Sequence, residues 1–302
     1  MAVHGILNLF KPAGPTSMEV VRRVKRLTRE AKVGHGGTLD PIAAGVLPIF
    51  FGSASRTMEY LIDSTKVYRA EVTLGVTTDT LDSAGAVTAR KDPSGVTRED
   101  VERALGSFRG AIAQMPPAYS ALKHEGQRMY ELARAGQETP RKPRQVQVMR
   151  LEMTRWDPPL VGLDVECGRG VYIRSLAHDI GEALGCGAHL SALTRLRTGP
   201  FRAEEGVTLE ALEEAVNKGG WEELLHPVDT VLSHLPAAIV LKPMAVAISR
   251  GQQAPLAAHK RNTLQHGELC RVYSSEGRFI ALVRYDRSAG LWQPVKVFAP
   301  EA

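Results

Sequence analysis

Cysteine is scarce in this chain of 302 residues, and the few cysteines present form no pattern. Cys167, Cys186 and Cys270 are an odd number, lie far apart and include no C-x-x-C pair. A disulfide framework usually shows as an even set of regularly spaced cysteines. We therefore predict no disulfide framework and interpret the three as thiols of a reducing cytoplasm.

Long apolar segments are also missing. The longest nearly unbroken apolar run, residues 43–51, is much shorter than the roughly 20 residues that a membrane-spanning helix needs. The N-terminal segment MAVHGILNLFKPAG has neither the long apolar core nor the cleavage site of a secretory signal. The sequence predicts a cytoplasmic protein without membrane attachment.

Charge is nearly balanced overall but unevenly distributed. The net charge is +5, which permits an anionic partner but is also explained by solubility alone. Residues 11–35 hold seven basic and two acidic side chains, and residues 115–150 hold seven and three, so the remainder is net acidic. Such clustering is typical of proteins that bind a phosphate backbone, although solvated helix faces give the same pattern.

Local patterns predict a chain that mixes helices and strands. Thr16 and Glu19 form a capping box before a helix whose apolar face carries Val20, Val24 and Leu27. From Val67 the apolar period changes to two, which indicates a half-buried strand. Strands and helices alternate unevenly and turns join the strands, so the pattern favours α+β, with a mixed, mainly antiparallel sheet flanked by helices. Short strand signals after about residue 235 predict a small appended β domain.

The glycine-rich segment 34–41 does not match a known phosphate-binding loop. It lacks G-x-x-x-x-G-K-[ST], and no strand-to-helix setting surrounds it. Metal ligation is weakly supported, because Cys186 and His189 have no convincing second ligand pair. We read Asp79 and Asp82 as turn residues and the His178–Glu182 pair as solvated. We predict neither a metal nor a cofactor.

Five ordered motifs resemble the TruB family of tRNA pseudouridine synthases. The most specific is G-H-x-G-T-L-D-P-x-A-x-G-V-L-P, present as Gly34 to Pro48. The others are LFKPAGPTS from Leu9, KVYRA from Lys66, PPAYSALK from Pro116 and GVYIRSL from Gly170, and LGCGAHL from Leu184 with Leu193-Thr194-Arg195 also fits. The resemblance covers residues 5–235.

The resemblance implies a fold, a division of the chain and an activity. Residues 1–235 would form a pseudouridine synthase catalytic domain with an RNA-binding loop at about 115–145, and residues 236–302 a PUA-like RNA-binding domain. The activity would be cofactor-free isomerisation of uridine 55 in the T-arm of tRNA by a bacterial-type enzyme. We expect a monomer with neither guide RNA nor an obligate protein partner.

The resemblance also assigns the site residues. Asp40 would act as the carboxylate nucleophile or base, Arg174 as its cationic partner, and Tyr68 as the ring that stacks on the uracil. Whether Asp40 attacks the base, attacks the sugar or removes a sugar proton stays open. Without the motifs, an aspartate before proline is usually a turn residue, an inward tyrosine belongs to the core, and a single arginine contacts phosphate or forms a surface ion pair.

Further residues are expected at the substrate. The resemblance places Tyr172 and Leu193 in the uridine pocket, with packing in a helix as the alternative for Leu193. His35 would help to extrude the base, although a single histidine is more often structural. Lys11 and Lys123 are the expected substrate-binding lysines. In the tail, the basic side chains expected on the acceptor-stem side of tRNA are Lys260, Arg261 and Arg271.

One position departs from the family pattern. Bacterial members usually have a small hydroxyl residue where this chain has Gly36, so the stiffness of this loop is expected to differ.

Two other functions compete with this interpretation. One is a non-catalytic RNA-binding or RNA-folding protein on the same scaffold, which would have no need of a carboxylate near phosphates. The other is a nucleotide-phosphate enzyme that uses the glycine-rich loop, which would need the missing P-loop lysine.

Overall fold

A computed structural model describes residues 3–119, 123–124, 127–129, 141–256 and 264–298. Its helices are α1 (Ser17–Thr28), α2 (Met58–Ile62), α3 (Arg98–Gly106), α4 (Ile173–Ala183), α5 (Leu209–Lys218) and α6 (Lys242–Ser249). The first nine strands are β1 (Gly5–Lys11), β2 (Val33–His35), β3 (Ala43–Phe51), β4 (Lys66–Leu74), β5 (Val76–Thr78), β6 (Val87–Arg90), β7 (Gly110–Gln114), β8 (Lys123–His124) and β9 (Gln127–Arg128). The remaining strands are β10 (Arg144–Asp157), β11 (Leu160–Cys167), β12 (Ala188–Thr198), β13 (Phe201–Arg202), β14 (Leu225–His226), β15 (Ala237–Val240), β16 (Leu269–Ser274), β17 (Phe279–Asp286) and β18 (Leu291–Val297).

A ten-stranded sheet forms the main body of the protein. Its order is β14-β1-β3-β12-β4-β11-β10-β7, with β13 beside β12 and β2 beside β3. All of these pairings are antiparallel except that of β12 with β3. Four helices, α1, α3, α4 and α5, bury apolar side chains in one core with this sheet. The predicted α+β class is confirmed.

A second, four-stranded sheet follows in the order β15-β16-β17-β18. It has an apolar core of its own, which includes Ile248, Val272 and Trp292. The strand signals predicted here are confirmed, whereas the short helix α6 and the last strand β18 were not predicted.

The helix signals in the sequence match the structure closely. Helix α1 begins after Thr16, whose side chain accepts a hydrogen bond from the Glu19 backbone, while Glu19 bonds back to Thr16. Val20 and Val24 are fully buried, whereas Arg22 and Arg26 are exposed. The capping box and the apolar face of this helix are therefore confirmed.

The helix alternative for Leu193 is wrong. Leu193 lies in strand β12, opposite Ala70 of β4 and Ala43 of β3. Register shifts at Leu190/Ala192 and Arg195/Arg197 interrupt the alternation of this strand. Because the period of two is broken twice, the local pattern does not reveal a strand.

Arg271, on β16, contacts the segment that precedes the second sheet. Its guanidinium donates to the Leu235 carbonyl at 3.1 Å and to the Tyr273 hydroxyl at 3.0 Å, and it lies 3.6 Å from the Asp229 carboxylate. These contacts join the C-terminal sheet to the preceding segment, and the contact of Arg271 with tRNA stays a prediction. Lys260 and Arg261 lie outside the described residues.

No helix in the described part of the chain is long and apolar enough to cross a membrane.

Candidate active site

The loop that carries Asp40 is fixed on both sides. The Ser17 hydroxyl, at the start of α1, donates to the Leu39 carbonyl at 2.9 Å and accepts from the Leu39 N–H at 2.8 Å. The Gly14 N–H donates to the Pro41 carbonyl at 2.8 Å. These bonds hold the backbone before and after Asp40 against the beginning of α1.

Arg174, in the first turn of α4, binds the Asp40 carboxylate through two nitrogens. Its Nε lies 2.9 Å from Asp40 Oδ2, and its Nη2 donates to Asp40 Oδ1 at 3.2 Å. The arginine side chain is 7% exposed and the aspartate side chain 33%. Bidentate pairs of this kind fix geometry as well as adding energy. The buried Arg174 therefore orients the Asp40 carboxylate, which stays partly open to solvent.

The rest of the Arg174 guanidinium is also engaged. It donates to the carbonyls of Thr80 at 3.1 Å and Tyr119 at 2.9 Å. Asp82 Oδ2 lies 3.6 Å from its Nη1. Asp82 was predicted only as a turn residue, but it is buried, and its other oxygen accepts from Thr80 Oγ1 at 2.6 Å. Turn composition gave no signal that this aspartate faces Arg174.

Tyr68, the expected stacking residue, lies on β4. It is half-buried, and in the sheet register it is opposite Arg195 on β12. Burial raises the pKa of the Tyr68 hydroxyl, the nearby Arg195 opposes the rise, and the Asp40 charge adds to it. The Tyr68 hydroxyl is thus subject to the charges of both Arg195 and Asp40.

Tyr172 precedes Arg174 at the N-terminus of α4. Its N–H donates to Gln114 Oε1 at 2.8 Å, and Gln114 Nε2 donates to its carbonyl at 3.0 Å. The buried Gln114 thus holds the start of the helix that carries Arg174. Gln114 was not singled out from the sequence, because nothing in its neighbourhood marks it.

Lys11, an expected substrate-binding lysine, lies at the end of β1. Its side chain is fully buried, and its Nζ donates to the carbonyls of Pro12 at 2.8 Å and Ala43 at 2.7 Å. Burial lowers its pKa to about 8, while the Asp40 charge acts in the opposite direction. A role of Lys11 in substrate binding stays a prediction; in this structure its ammonium group is bound by two backbone carbonyls.

His35 ends strand β2 and is half-buried. Its Nδ1 accepts a hydrogen bond from the Gly37 N–H at 3.4 Å. Burial lowers the pKa of His35, and Arg195 lowers it further. Both effects favour the neutral imidazole.

The Lys123 side chain and most of the predicted loop at 115–145 lie outside the described residues. In the described part of the chain, no group of three or more His, Cys, Asp or Glu side chains could hold a metal ion.

Gly36, where the sequence departs from the family pattern, is closely packed. A Cβ at this position would lie 2.6 Å from Phe50 Cε2 and 2.7 Å from Leu61 Cδ2. Both neighbours are buried and cannot move freely. We predict that Gly36→Ser lowers the free energy of unfolding by about 1–3 kcal/mol.

Urea unfolding measures the effect of Gly36→Ser. Gly106→Ser is the control, because no atom lies within 4 Å of a Cβ added at Gly106. Its free energy of unfolding should change by less than about 0.5 kcal/mol. Equal stability of the two variants would contradict the packing argument at Gly36.

Family models cover most of this chain. The model described as "TruB family pseudouridylate synthase (N terminal domain)" matches residues 25–173. The model described as "tRNA pseudouridylate synthase B C-terminal domain" matches residues 174–233.

Curated relatives are similar over nearly the whole chain. "tRNA pseudouridine synthase B" of Dehalococcoides mccartyi strain 195 is 43% identical over 98% of this chain and 97% of its own length. The protein of the same name from Thiobacillus denitrificans is 44% identical, over 99% of this chain and 97% of its own length.

Two solved complexes contain chains similar to this one in fold. One, described as "Crystal Structure of a Cbf5-Nop10-Gar1 Complex", has a TM-score of 0.75 and 29% identity, and covers 98% of this chain and 85% of that chain. Another, "Structure of H/ACA RNP bound to a substrate RNA containing 2'-deoxyuridine", has a TM-score of 0.74 and 28% identity over the same shares.

Proposed function

The chain belongs to the TruB family of pseudouridine synthases, and from that premise we propose that it converts uridine to pseudouridine in tRNA, at uridine 55 of the T-arm. The reaction breaks the N1–C1′ glycosidic bond, joins C1′ to C5 of the same uracil and releases the C5 hydrogen. No electrons are exchanged with a second reactant. The proposed reaction therefore needs no redox cofactor.

The observation that carries the proposal is the Asp40–Arg174 pair. A half-exposed carboxylate is held in a fixed loop by a buried guanidinium at 2.9 Å. A carboxylate so placed is suited to act as a nucleophile or base on a nucleotide brought to it. The ring of Tyr68 would stack on the uracil, which is worth about 1–3 kcal/mol. A protein that only binds RNA gains nothing from a carboxylate near phosphates.

Arg174, Tyr172 and Leu193 complete the proposed pocket. Arg174 orients Asp40, while Tyr172 and the apolar Leu193 would shape the space around the base. Because a uridine inside a folded tRNA arm is not accessible, it has to be flipped out. We assign His35, on the loop next to Asp40, to holding the opened RNA.

Label release tests the proposed reaction. An unmodified tRNA transcript with tritium at C5 of its uridines should release one equivalent of tritium per tRNA. A transcript with cytidine at position 55 should release none. Tritium release no higher than background from the unmodified transcript would refute the enzymatic activity. Equal tritium release from the unmodified and the cytidine-55 transcripts would refute the target position.

We also propose separate roles for the two parts of the chain. Residues 1–235 would catalyse the reaction, and residues 236–302 would form a PUA-like module that binds tRNA. In support, strands β15–β18 form their own sheet over their own apolar core.

Helix α1 supplies an RNA-binding face next to the proposed catalytic loop. Arg22, Arg26 and Arg29 are exposed at i, i+4 and i+7 and, within the described residues, lie further than 4.0 Å from any carboxylate. Arg23, by contrast, pairs with Glu213 at 3.1 Å. Arg22 and Arg26 lie one turn apart on α1, and Arg29 follows the last residue of the helix in the αL conformation; together they offer three cations suited to binding phosphates.

We predict that replacing Arg22, Arg26 and Arg29 together by Gln lowers the affinity for tRNA. The affinity should also depend less steeply on salt concentration. Losing three phosphate contacts should reduce the slope of log K against log salt by about 2–3. Filter binding at several salt concentrations measures it.

The matched control for the α1 variant removes the same charge elsewhere. Arg90, Arg98 and Arg103 are exposed and lie outside both basic stretches. Their replacement by Gln should leave the slope nearly unchanged. Equal slopes for the two triple variants would contradict a specific role of α1.

A further inference from the structure

Arg195 is a buried cation that is bonded, among the described residues, to backbone carbonyls. Its side chain lies on β12 and the residue is 2% exposed. In the described part of the chain, no carboxylate oxygen lies within 4.0 Å of its guanidinium. A buried charge is costly unless it is compensated by hydrogen bonds. The contacts that compensate the charge of Arg195 therefore indicate what this side chain does in the fold.

Those contacts reach two separate elements. Nε donates to the Val46 carbonyl of β3 at 2.7 Å. Nη2 donates to the Gly37 carbonyl at 3.1 Å, and Nη1 to the Thr38 carbonyl at 3.4 Å. Gly37 and Thr38 immediately precede Leu39 and Asp40. One guanidinium thus holds the loop of the proposed nucleophile against the strand that follows it.

Arg195 also reaches the proposed stacking residue. It is opposite Tyr68 in the β4–β12 register, and its charge acts on the Tyr68 hydroxyl. The arginine is therefore paired in the sheet with the proposed stacking residue and bonded to the loop of the proposed nucleophile.

Two glycines, Gly45 and Gly37, lie close to Arg195. Gly45 has a φ of +108°, and a Cβ there would lie 2.2 Å from the Arg195 carbonyl oxygen. Gly37 has a φ of +137°, and a Cβ there would lie 3.7 Å from Arg195 Nη1. The Gly45 contact is with the Arg195 backbone, so glycine there permits the close pairing of β3 with β12, while Gly37 is favoured by its positive φ.

We propose that Arg195 is a positioning residue that sets the distance between Tyr68 and Asp40. This inference rests on the proposed function, because it concerns the alignment of the base with the carboxylate. Arg195 is too deeply buried to contact RNA in this structure. Its loss should therefore slow the chemical step without weakening tRNA binding.

The experiment compares Arg195→Lys with Arg197→Lys. Lysine keeps the charge but cannot reach three carbonyls in different directions. Arg197 lies on the same strand, but it is 30% exposed and pairs with Glu166 at 2.6 Å. Single-turnover tritium release, the tRNA dissociation constant, and urea unfolding are measured for both variants and for the wild type.

The expected result is a split between rate and affinity. Arg195→Lys should lower the single-turnover rate by about 100-fold, because misplacement of reacting groups by about 1 Å costs that much, while its tRNA dissociation constant changes less than about threefold. Arg197→Lys should change neither. Amide hydrogen exchange should increase at residues 36–40 of Arg195→Lys.

Several outcomes would overturn the inference. An unchanged rate in folded Arg195→Lys would show that Arg195 does not align the site. Rate and affinity reduced together would indicate contact with RNA, and an unfolded variant would indicate a purely structural role. Absence of release by the wild type would instead refute the proposed function, which keeps the two failures distinguishable.

Discussion

Asp40→Asn is expected to abolish pseudouridine formation while tRNA binding is retained. The amide has nearly the shape of the carboxylate but is neither a nucleophile nor a base of useful strength. Loss of a residue in this role typically reduces the rate by about 10⁴-fold or more. Binding should change less than about threefold, because the phosphate-binding arginines of α1 lie elsewhere.

Single-turnover tritium release and filter binding, on the same transcript, separate these two effects. Asp63→Asn is the control, since the Asp63 side chain is 66% exposed and pairs with Arg169 at the surface. That variant should turn over like the wild type. Turnover by Asp40→Asn within tenfold of the wild type would remove Asp40 from the chemistry.

Arg174→Met is expected to lose both activity and stability. The substitution leaves Asp82 buried without its cation and removes the donors to the carbonyls of Thr80 and Tyr119. Removing one partner of a buried ion pair costs about 3–5 kcal/mol. The Asp40 carboxylate also loses the two bonds that orient it, so turnover should fall by at least about 100-fold.

Urea unfolding and tritium release measure the two effects of Arg174→Met. The control is Arg69→Met, because Arg69 also makes a two-point contact, with Asp164 at 2.9 and 3.0 Å, but is exposed. The Arg69 side chain is 61% exposed and the Asp164 side chain 14%, so water reaches the arginine and we expect its removal to cost about 1 kcal/mol, less than removal of the buried Arg174. Similar losses of stability in the two variants would contradict the argument from burial.

The Asp40–Arg174 contact shows what sequence motifs can and cannot predict. The two residues are 134 positions apart, and no local period or spacing connects them. The resemblance to a family assigned them to one site, and the structure brings them together. Their roles in catalysis remain predictions until the variants are measured.

Local elements were predictable where one physical signal dominates. Helix α1 follows from its capping box and apolar face, and β4 from its alternation. Strand β12 was missed because its register shifts break the alternation. The buried positions of Lys11 and Arg195 were not predictable either, because composition counts every lysine and arginine as a surface charge. Only tertiary contacts show that backbone carbonyls compensate these two.

The two hydrogen bonds between Ser17 and Leu39 make the phosphate-binding helix and the loop of Asp40 a single mechanical unit. If the arginines of α1 bind phosphates, the distance from those phosphates to the carboxylate is then set by the protein and not by the RNA. The helix and the loop together would thus fix how far the target nucleotide lies from the phosphates bound by α1. Shifting the enzyme to a uridine at another distance would require changing the helix and the loop together.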